Sequence, residues 1–157
     1  MASIGTRPAD REIVSTRVFD APRERVFRAF SDPRVLARWW GPDGFTSTFQ
    51  EFDFRPGGAW RFVMHGPDGA DYRNESAFIE VVSPERIVLE HLRPMHRFLM
   101  TMTFAEEAGK TRLTWRLEFE SVAERERVRA FIPAANEQNL DRLQAQLAVS
   151  ISGSPDD

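Results

Sequence analysis

The chain has 157 residues, a formal charge of −3 and no cysteine, which excludes disulfides, thiolate metal sites and thiol catalysis and argues against the basic stripe of a nucleic-acid protein. Its aromatic content is unusual in kind, thirteen phenylalanines and four tryptophans against one tyrosine, bulk that belongs in a core, a cavity wall or both. No stretch approaches the ~18 apolar residues of a membrane span and the first twenty residues hold no signal-like run, so a single cytoplasmic domain over 1–157 without membrane insertion is expected.

In chain order, 1–11 reads as a loose polar leader ahead of a core spanning about 12–149. "EIVSTRVFDAP" reads as a strand carrying Ile13 and Val18, ending at Asp20 as a helix N-cap with Pro22 in the first turn. The helix carries Val26, Phe27 and Phe30 and breaks at Ser31-Asp32-Pro33, where Asp32 caps a second short helix running to Trp39-Trp40. Neighbouring tryptophans on a helix point about 100° apart, so one packed face does not readily bury both. One is expected to pack for stability while the other reaches a cavity or its rim; Trp39 is the candidate, with the choice between the two left open.

From 45 to 120 the period becomes two. Trp60, Phe62 and Met64 share one face of a strand, Phe98, Met100, Met102 and Phe104 one face of another, and Leu113, Trp115, Leu117 and Phe119 one face of a third. Turn signals separate these runs, including "GPDG" at 41–44 and again at 66–69, where proline and glycine suit a type I turn. Ser121 and Glu124 then form a capping box for a helix reaching about Val149, which Pro133 should kink or interrupt. Residues 152–157 read as a frayed tail.

One strand, two short helices, about six strands and a long final helix give an α+β architecture. A one-sided antiparallel sheet has to be covered, and the last helix is the only element long enough. A curved sheet wrapped around that helix, with the short helices closing one end, is a helix-grip fold with an internal cavity.

The segments "VFDAPRERVFRAFSDPRVLARWWGPDGF", "FDFRPGGAWRFVM" and "SPERIVLEH" resemble the activator of heat-shock-protein-90 ATPase homologue family, a branch of the START/Bet v 1-like (SRPBCC) superfamily. The resemblance runs from about Ile13 to Leu147 and implies the same helix-grip fold with a deep internal pocket. Similar proteins bind hydrophobic small molecules, some cyclise polyketides, and eukaryotic relatives stimulate the chaperone ATPase; fold alone does not choose among these. One departure stands out. Many members carry Gly-Trp before "LDRL", where this chain has Ala135-Asn136, so a bulky wall is missing and an amide faces the pocket or the surface.

In such a fold Trp39, Trp60, Phe62, Met64, Met100, Met102 and Trp115 are expected to line the cavity, together with Phe98 and Leu117, because ligand sites are concave and mostly apolar. Tyr72, Asn74, Ser76 and His91 are the polar candidates for orienting a ligand. His91 shares strand parity with Ile87 and Leu89 and so faces inward, while Glu90 faces solvent. No metal spacing joins His65, His91 and His96, and no nucleotide fingerprint occurs, so neither metal nor cofactor is expected. The leading expectation is a non-enzymatic binder of a small hydrophobic or aromatic molecule. The alternative is a cyclase- or hydrolase-like enzyme with His91 as base and Asn74 or Tyr72 polarising a carbonyl. A chaperone partner ranks last, and a homodimer through an exposed aromatic patch is left open.

Overall fold

The computed structural model describes residues 8–93 and 97–152. A short 3-10 helix, Pro8–Arg11, leads into β1 (Glu12–Phe19), then α1 (Arg23–Ser31), α2 (Pro33–Trp39), β2 (Thr46–Phe52), β3 (Ala59–His65), β4 (Asp71–Val82), β5 (Arg86–Arg93), β6 (Phe98–Glu107), β7 (Lys110–Phe119), α3 (Val122–Val128) and α4 (Ile132–Ser152). The seven strands form one antiparallel sheet in the order β1-β7-β6-β5-β4-β3-β2, with β1 and β2 at its edges. This is the helix-grip arrangement: a meander of six strands, the first strand folded back beside the last, and the long helix packed against β1 and α2. None of the described helices is long and apolar enough to cross a membrane.

The sheet curves because its ladders are interrupted. In β2 the register jumps between Phe49 and Glu51, and in the β4–β5 ladder it jumps at Leu92 of β5, opposite Glu75 and Ser76, and at Ile79 of β4, between Phe78 and Glu80. Each extra residue bends its strand and reverses the parity beyond it. Phe49 and Phe52, three apart, therefore oppose Phe62 and Trp60 and stack on each other at 5.9 Å. Ile79 is the extra residue of β4 and is left exposed, while Val81 beyond it returns to the core.

Asp32 caps α2, its Oδ1 accepting from Arg34 N–H at 3.0 Å, with Pro33 in the first turn. Asp20 does not cap α1: a tight turn brings Ala21 N–H to Phe19 C=O, and Pro22 takes the capping position without a side-chain bond. Ser121 Oγ accepts from Glu124 N–H, as half of a capping box requires. The final helix is two helices, broken at residues 129–131. Pro133 is the second residue of α4, where its missing N–H would have had no helical partner. The leader is tied down in part: Asp10 C=O accepts from Arg125 Nε at 3.0 Å and Arg11 pairs with Glu118 at 3.1 Å. Residues 1–7 and 153–157 lie outside the described residues, as does His96.

Candidate functional site

Both tryptophans of the pair are buried, Trp39 at 1% and Trp40 at 6% exposure. The chain leaves the helix between them. Trp40 is the C-cap of α2 with extended backbone (φ −70°, ψ 126°), so the 100° separation of helical neighbours does not apply to it. Trp39 Nε1–H donates to Ala29 C=O at 3.0 Å. That carbonyl lies in the last turn of α1, and the residue four positions on is Pro33, which has no N–H to give it.

The end of α2 is held by α4. Asn139 Nδ2 donates to Trp39 C=O at 2.9 Å while its Oδ1 accepts from Gly41 N–H at 3.3 Å. Arg142 donates to the carbonyls of Arg38, Gly41 and Pro42 at 3.1, 2.8 and 3.1 Å. Its guanidinium pKa is lowered by burial, with Asp43 opposing the shift. These bonds serve carbonyls that a helix end leaves without partners, and they place a cation where the helix dipole is negative. The first "GPDG" then turns one residue later than the second. Phe45 N–H reaches Pro42 C=O, whereas at the second copy Gly69 N–H reaches Gly66 C=O. Gly41, with φ +113°, makes the reversal after Trp40.

So fixed, the Trp40 indole lines a cavity of about 210 Å³. Strand alternation supplies the rest: Trp60, Phe62 and Met64 from β3, Asn74 and Ser76 from β4, Leu89 and His91 from β5, Phe98 and Met100 from β6. One row crosses four strands as paired neighbours, Trp60 to Ser76 to His91 to Phe98. The His91 ring stacks on Phe98 with centroids 4.6 Å apart and planes 16° apart. No Asp, Glu, Lys or Arg is among the lining residues. Asn74 spends its Nδ2 on Tyr72 C=O at 3.0 Å. Glu90 points outward and pairs with Arg97 at 2.8 Å.

Five expected members of the wall lie elsewhere. Trp39 is sealed under α1 by its own hydrogen bond, and its neighbour Trp40 takes the cavity position. Tyr72 has the right parity but sits at the end of β4, where it is 43% exposed beside Phe45. Met102 is packed in the core beside a hole of about 10 Å³, room for at most one water. Trp115 is buried behind Trp40 at 5.7 Å, and Leu117 is buried in the same core. Leu89 is a wall residue that sequence reasoning did not name, and Trp40 rather than Trp39 fills the place left open between the pair. The Gly-Pro after Trp40 was the available signal, since a chain that stops being helical at Trp40 frees that side chain from the helix face.

Three of the four indoles share an unusual state. Trp40, Trp60 and Trp115 are packed together, with the Trp40 ring 5.1 Å from Trp60 and 5.7 Å from Trp115, and the Nε1–H of each is buried with no acceptor among the described residues. Asn136 is also buried, its Nδ2 without an acceptor among the described residues. Among the described residues no cluster of three or more His, Asp or Glu could hold a metal. A separate depression of about 180 Å³ lies beside β6 and β7, but its charged residues include the pairs Arg11–Glu118 and Arg97–Glu90, whose charges cancel.

Residues 20–148 match the family model described as "Activator of Hsp90 ATPase homolog 1-like protein". The chain belongs to this family. A crystal structure of a protein from Chromobacterium violaceum is similar over 85% of this chain and 95% of that one, at 31% identity and a TM-score of 0.74. A solution structure from Arthrobacter aurescens (24% identity, 94% and 91% covered, TM-score 0.84) and a crystal structure from Nitrosomonas europaea (19%, 92% and 99%, 0.84) show the same fold. No curated protein matches the chain.

Proposed function

We propose that the protein binds a small apolar, aromatic molecule in the cavity beneath Trp40, as a cytoplasmic carrier, sequestering protein or sensor. The observation that carries this reading is the cavity itself: about 210 Å³, walled by aromatic rings and methionines, with three polar side chains, His91 among them, and no Asp, Glu, Lys or Arg among its described lining residues. An apolar cavity of ~150 Å³ already takes benzene, so one or two rings are the fitting size. Methionines at positions 64 and 100 let such a wall adapt to its occupant.

Native mass spectrometry of freshly purified protein, followed by titration with tetralin against tryptophan fluorescence, tests it. A discrete excess mass that denaturation removes, or saturable quenching at sub-millimolar tetralin, is the expected outcome. Absence of both would refute the binding function.

A second reading, acid–base chemistry, rests on the burial of His91 in the cavity wall beside Ser76 and Asn74. It proceeds without Tyr72, which lies outside the cavity wall. Turnover of 1-naphthyl acetate that His91→Gln abolishes would favour it; equal rates in both proteins would set it aside. A chaperone partner, a homodimer and nucleic acid are not part of the proposed function.

A further inference from the structure

We infer that the ligand carries a neutral ring hydroxyl that donates to Asn74 Oδ1 and accepts from the Ser76 hydroxyl. This rests on the binding function proposed above and narrows its substrate class to a hydroxylated aromatic of one or two rings.

The polar groups of the cavity wall lie together. Asn74 and Ser76 come from β4 and His91 from β5, where Ser76 and His91 are directly opposed. The strands on either side contribute only apolar side chains, among them Phe62 and Met64 from β3 and Met100 from β6. A polar strip thus runs down the middle of an apolar wall. A ligand lying across it meets one polar point between two apolar flanks.

Two atoms of that strip have no partner among the described residues and are open to one. Asn74 donates through Nδ2 to Tyr72 C=O at 3.0 Å, and its Oδ1 receives nothing. The Tyr72 carbonyl requires a donor, so the amide nitrogen is the atom that faces it and the oxygen points elsewhere. Ser76 Oγ makes no hydrogen bond either. Neither oxygen is sealed from solvent, as the indole nitrogens of Trp40, Trp60 and Trp115 are. Ser76 is only 3% exposed, so the surface left to its hydroxyl lies in the cavity that it lines.

An amide oxygen only accepts, so a ketone, ether or carboxylate beside it would set lone pairs against lone pairs. The ligand must bring a donor. An ammonium is a donor too, but no carboxylate among the described lining residues offsets its charge. A hydroxyl suits both partners, its proton going to Asn74 and its oxygen receiving the Ser76 proton. Same-face neighbours on a strand stand about 6.8 Å apart, and two hydrogen bonds of about 2.8 Å span up to about 5.6 Å, the right scale for one oxygen to bridge the two side chains.

The test uses three probes on one skeleton: tetralin, 6-methoxytetralin and 6-hydroxytetralin. The methoxy group keeps the oxygen and loses the proton. Calorimetry gives each Kd, and ¹H–¹⁵N NMR follows the Asn74 side-chain amide. One neutral hydrogen bond is worth roughly fivefold to tenfold in Kd. The hydroxy probe should bind more tightly than the methoxy probe by about that factor and move the Asn74 signals further downfield than either other probe. Asn74→Leu should close the gap, and Ser76→Ala should weaken 6-hydroxytetralin relative to tetralin by a similar factor. If the variants fail to fold, the wild-type affinities and Asn74 signals decide alone.

Equal binding of the hydroxy and methoxy probes would overturn this inference and leave the binding function standing. A hydroxyl preference that survives either variant, or that leaves the Asn74 signals in place, would also overturn it, because the hydroxyl is then received elsewhere. Binding of none of the three would refute the binding of small aromatics and this inference with it.

Discussion

Replacing Asn139 by alanine should destabilise the protein far more than its single side chain suggests. Asn139 is 4% exposed and bridges two backbone groups, the Trp39 carbonyl and the Gly41 N–H, with Gly41 buried as well. Alanine leaves both without partners in a place that water does not readily reach. Each orphaned group costs about 1–3 kcal/mol, so the pair costs about 2–6 kcal/mol. Against a total stability of about 5–15 kcal/mol this is a large share. For a chain of this length each kcal/mol shifts Tm by about 2–4 °C, so a fall of roughly 6–12 °C is expected for a central loss of about 3 kcal/mol. Asn139→Asp should be no better, since its carboxylate still accepts from Gly41 but turns a second oxygen toward the Trp39 carbonyl. Gln138→Ala is the control on the same helix, because its bond to Asp43 N–H is exposed and worth within about 0.5 kcal/mol. Urea and thermal unfolding of the three variants measure this. A loss below about 1 kcal/mol in Asn139→Ala, or one matched by Gln138→Ala, would refute the role assigned to α4 in holding the tryptophan segment.

Trp39→Phe and Trp115→Phe remove the same ring volume from buried sites, but only the first strands a carbonyl; urea unfolding should show Trp39→Phe costing about 1–3 kcal/mol more, and equal losses would refute the carbonyl argument. Gly58→Ala would put a Cβ 1.9 Å from Asp53 C=O, so a loss of about 3 kcal/mol or more is expected, whereas Gly57→Ala faces open space and should cost only the ~1–2 kcal/mol of its positive φ. The Asp32 carboxyl is held below the usual carboxylate range, first by the hydrogen bond from the Arg34 side chain. Its folded pKa is thus below its unfolded one, so its stabilisation is complete above about pH 4 and is lost as pH falls through the folded value. Asp32→Asn keeps the backbone cap, so wild type should exceed it by less than about 1 kcal/mol at pH 7 and by less still at pH 3; a gap that widens on acidification would contradict the sign.

The sheet was legible because each strand obeys one rule. Leu113, Trp115, Leu117 and Phe119 alternate without exception, and all four are buried. Departures came from the ladder, where the rule is not local. The bulge beyond Phe49 depends on how β2 meets β3, and no residue in β2 announces it. Helix ends failed in the same way. Asp20 has the chemistry of a cap, but a turn places the helix start two residues later, and chemistry without position does nothing. The candidate site was half legible. Parity identifies inward residues, and it holds for Trp60, Phe62, Met64, Asn74, Ser76, His91 and Met100. It does not tell whether an inward residue meets space, another side chain or solvent. Met102 and Trp115 are covered by the helices, and Tyr72 lies past the point where the sheet is covered at all.

The tryptophan pair shows the same difference in energetic terms. A fold needing only bulk at these positions could use phenylalanine, which this sequence employs thirteen times, and bury no donor. At position 39 the indole is justified by the protein alone: it reaches a carbonyl that Pro33 cannot serve, and closing that bond locks α1 to α2. At positions 40 and 60 the extra N–H brings a penalty and no bond among the described residues. Phenylalanine there should therefore lose less stability than phenylalanine at 39. If Trp40→Phe and Trp60→Phe prove as costly as Trp39→Phe with no ligand present, the indoles are structural after all. If they unfold at nearly the wild-type urea midpoint, the indole donors at 40 and 60 add nothing to the stability of the fold, as their missing acceptors imply.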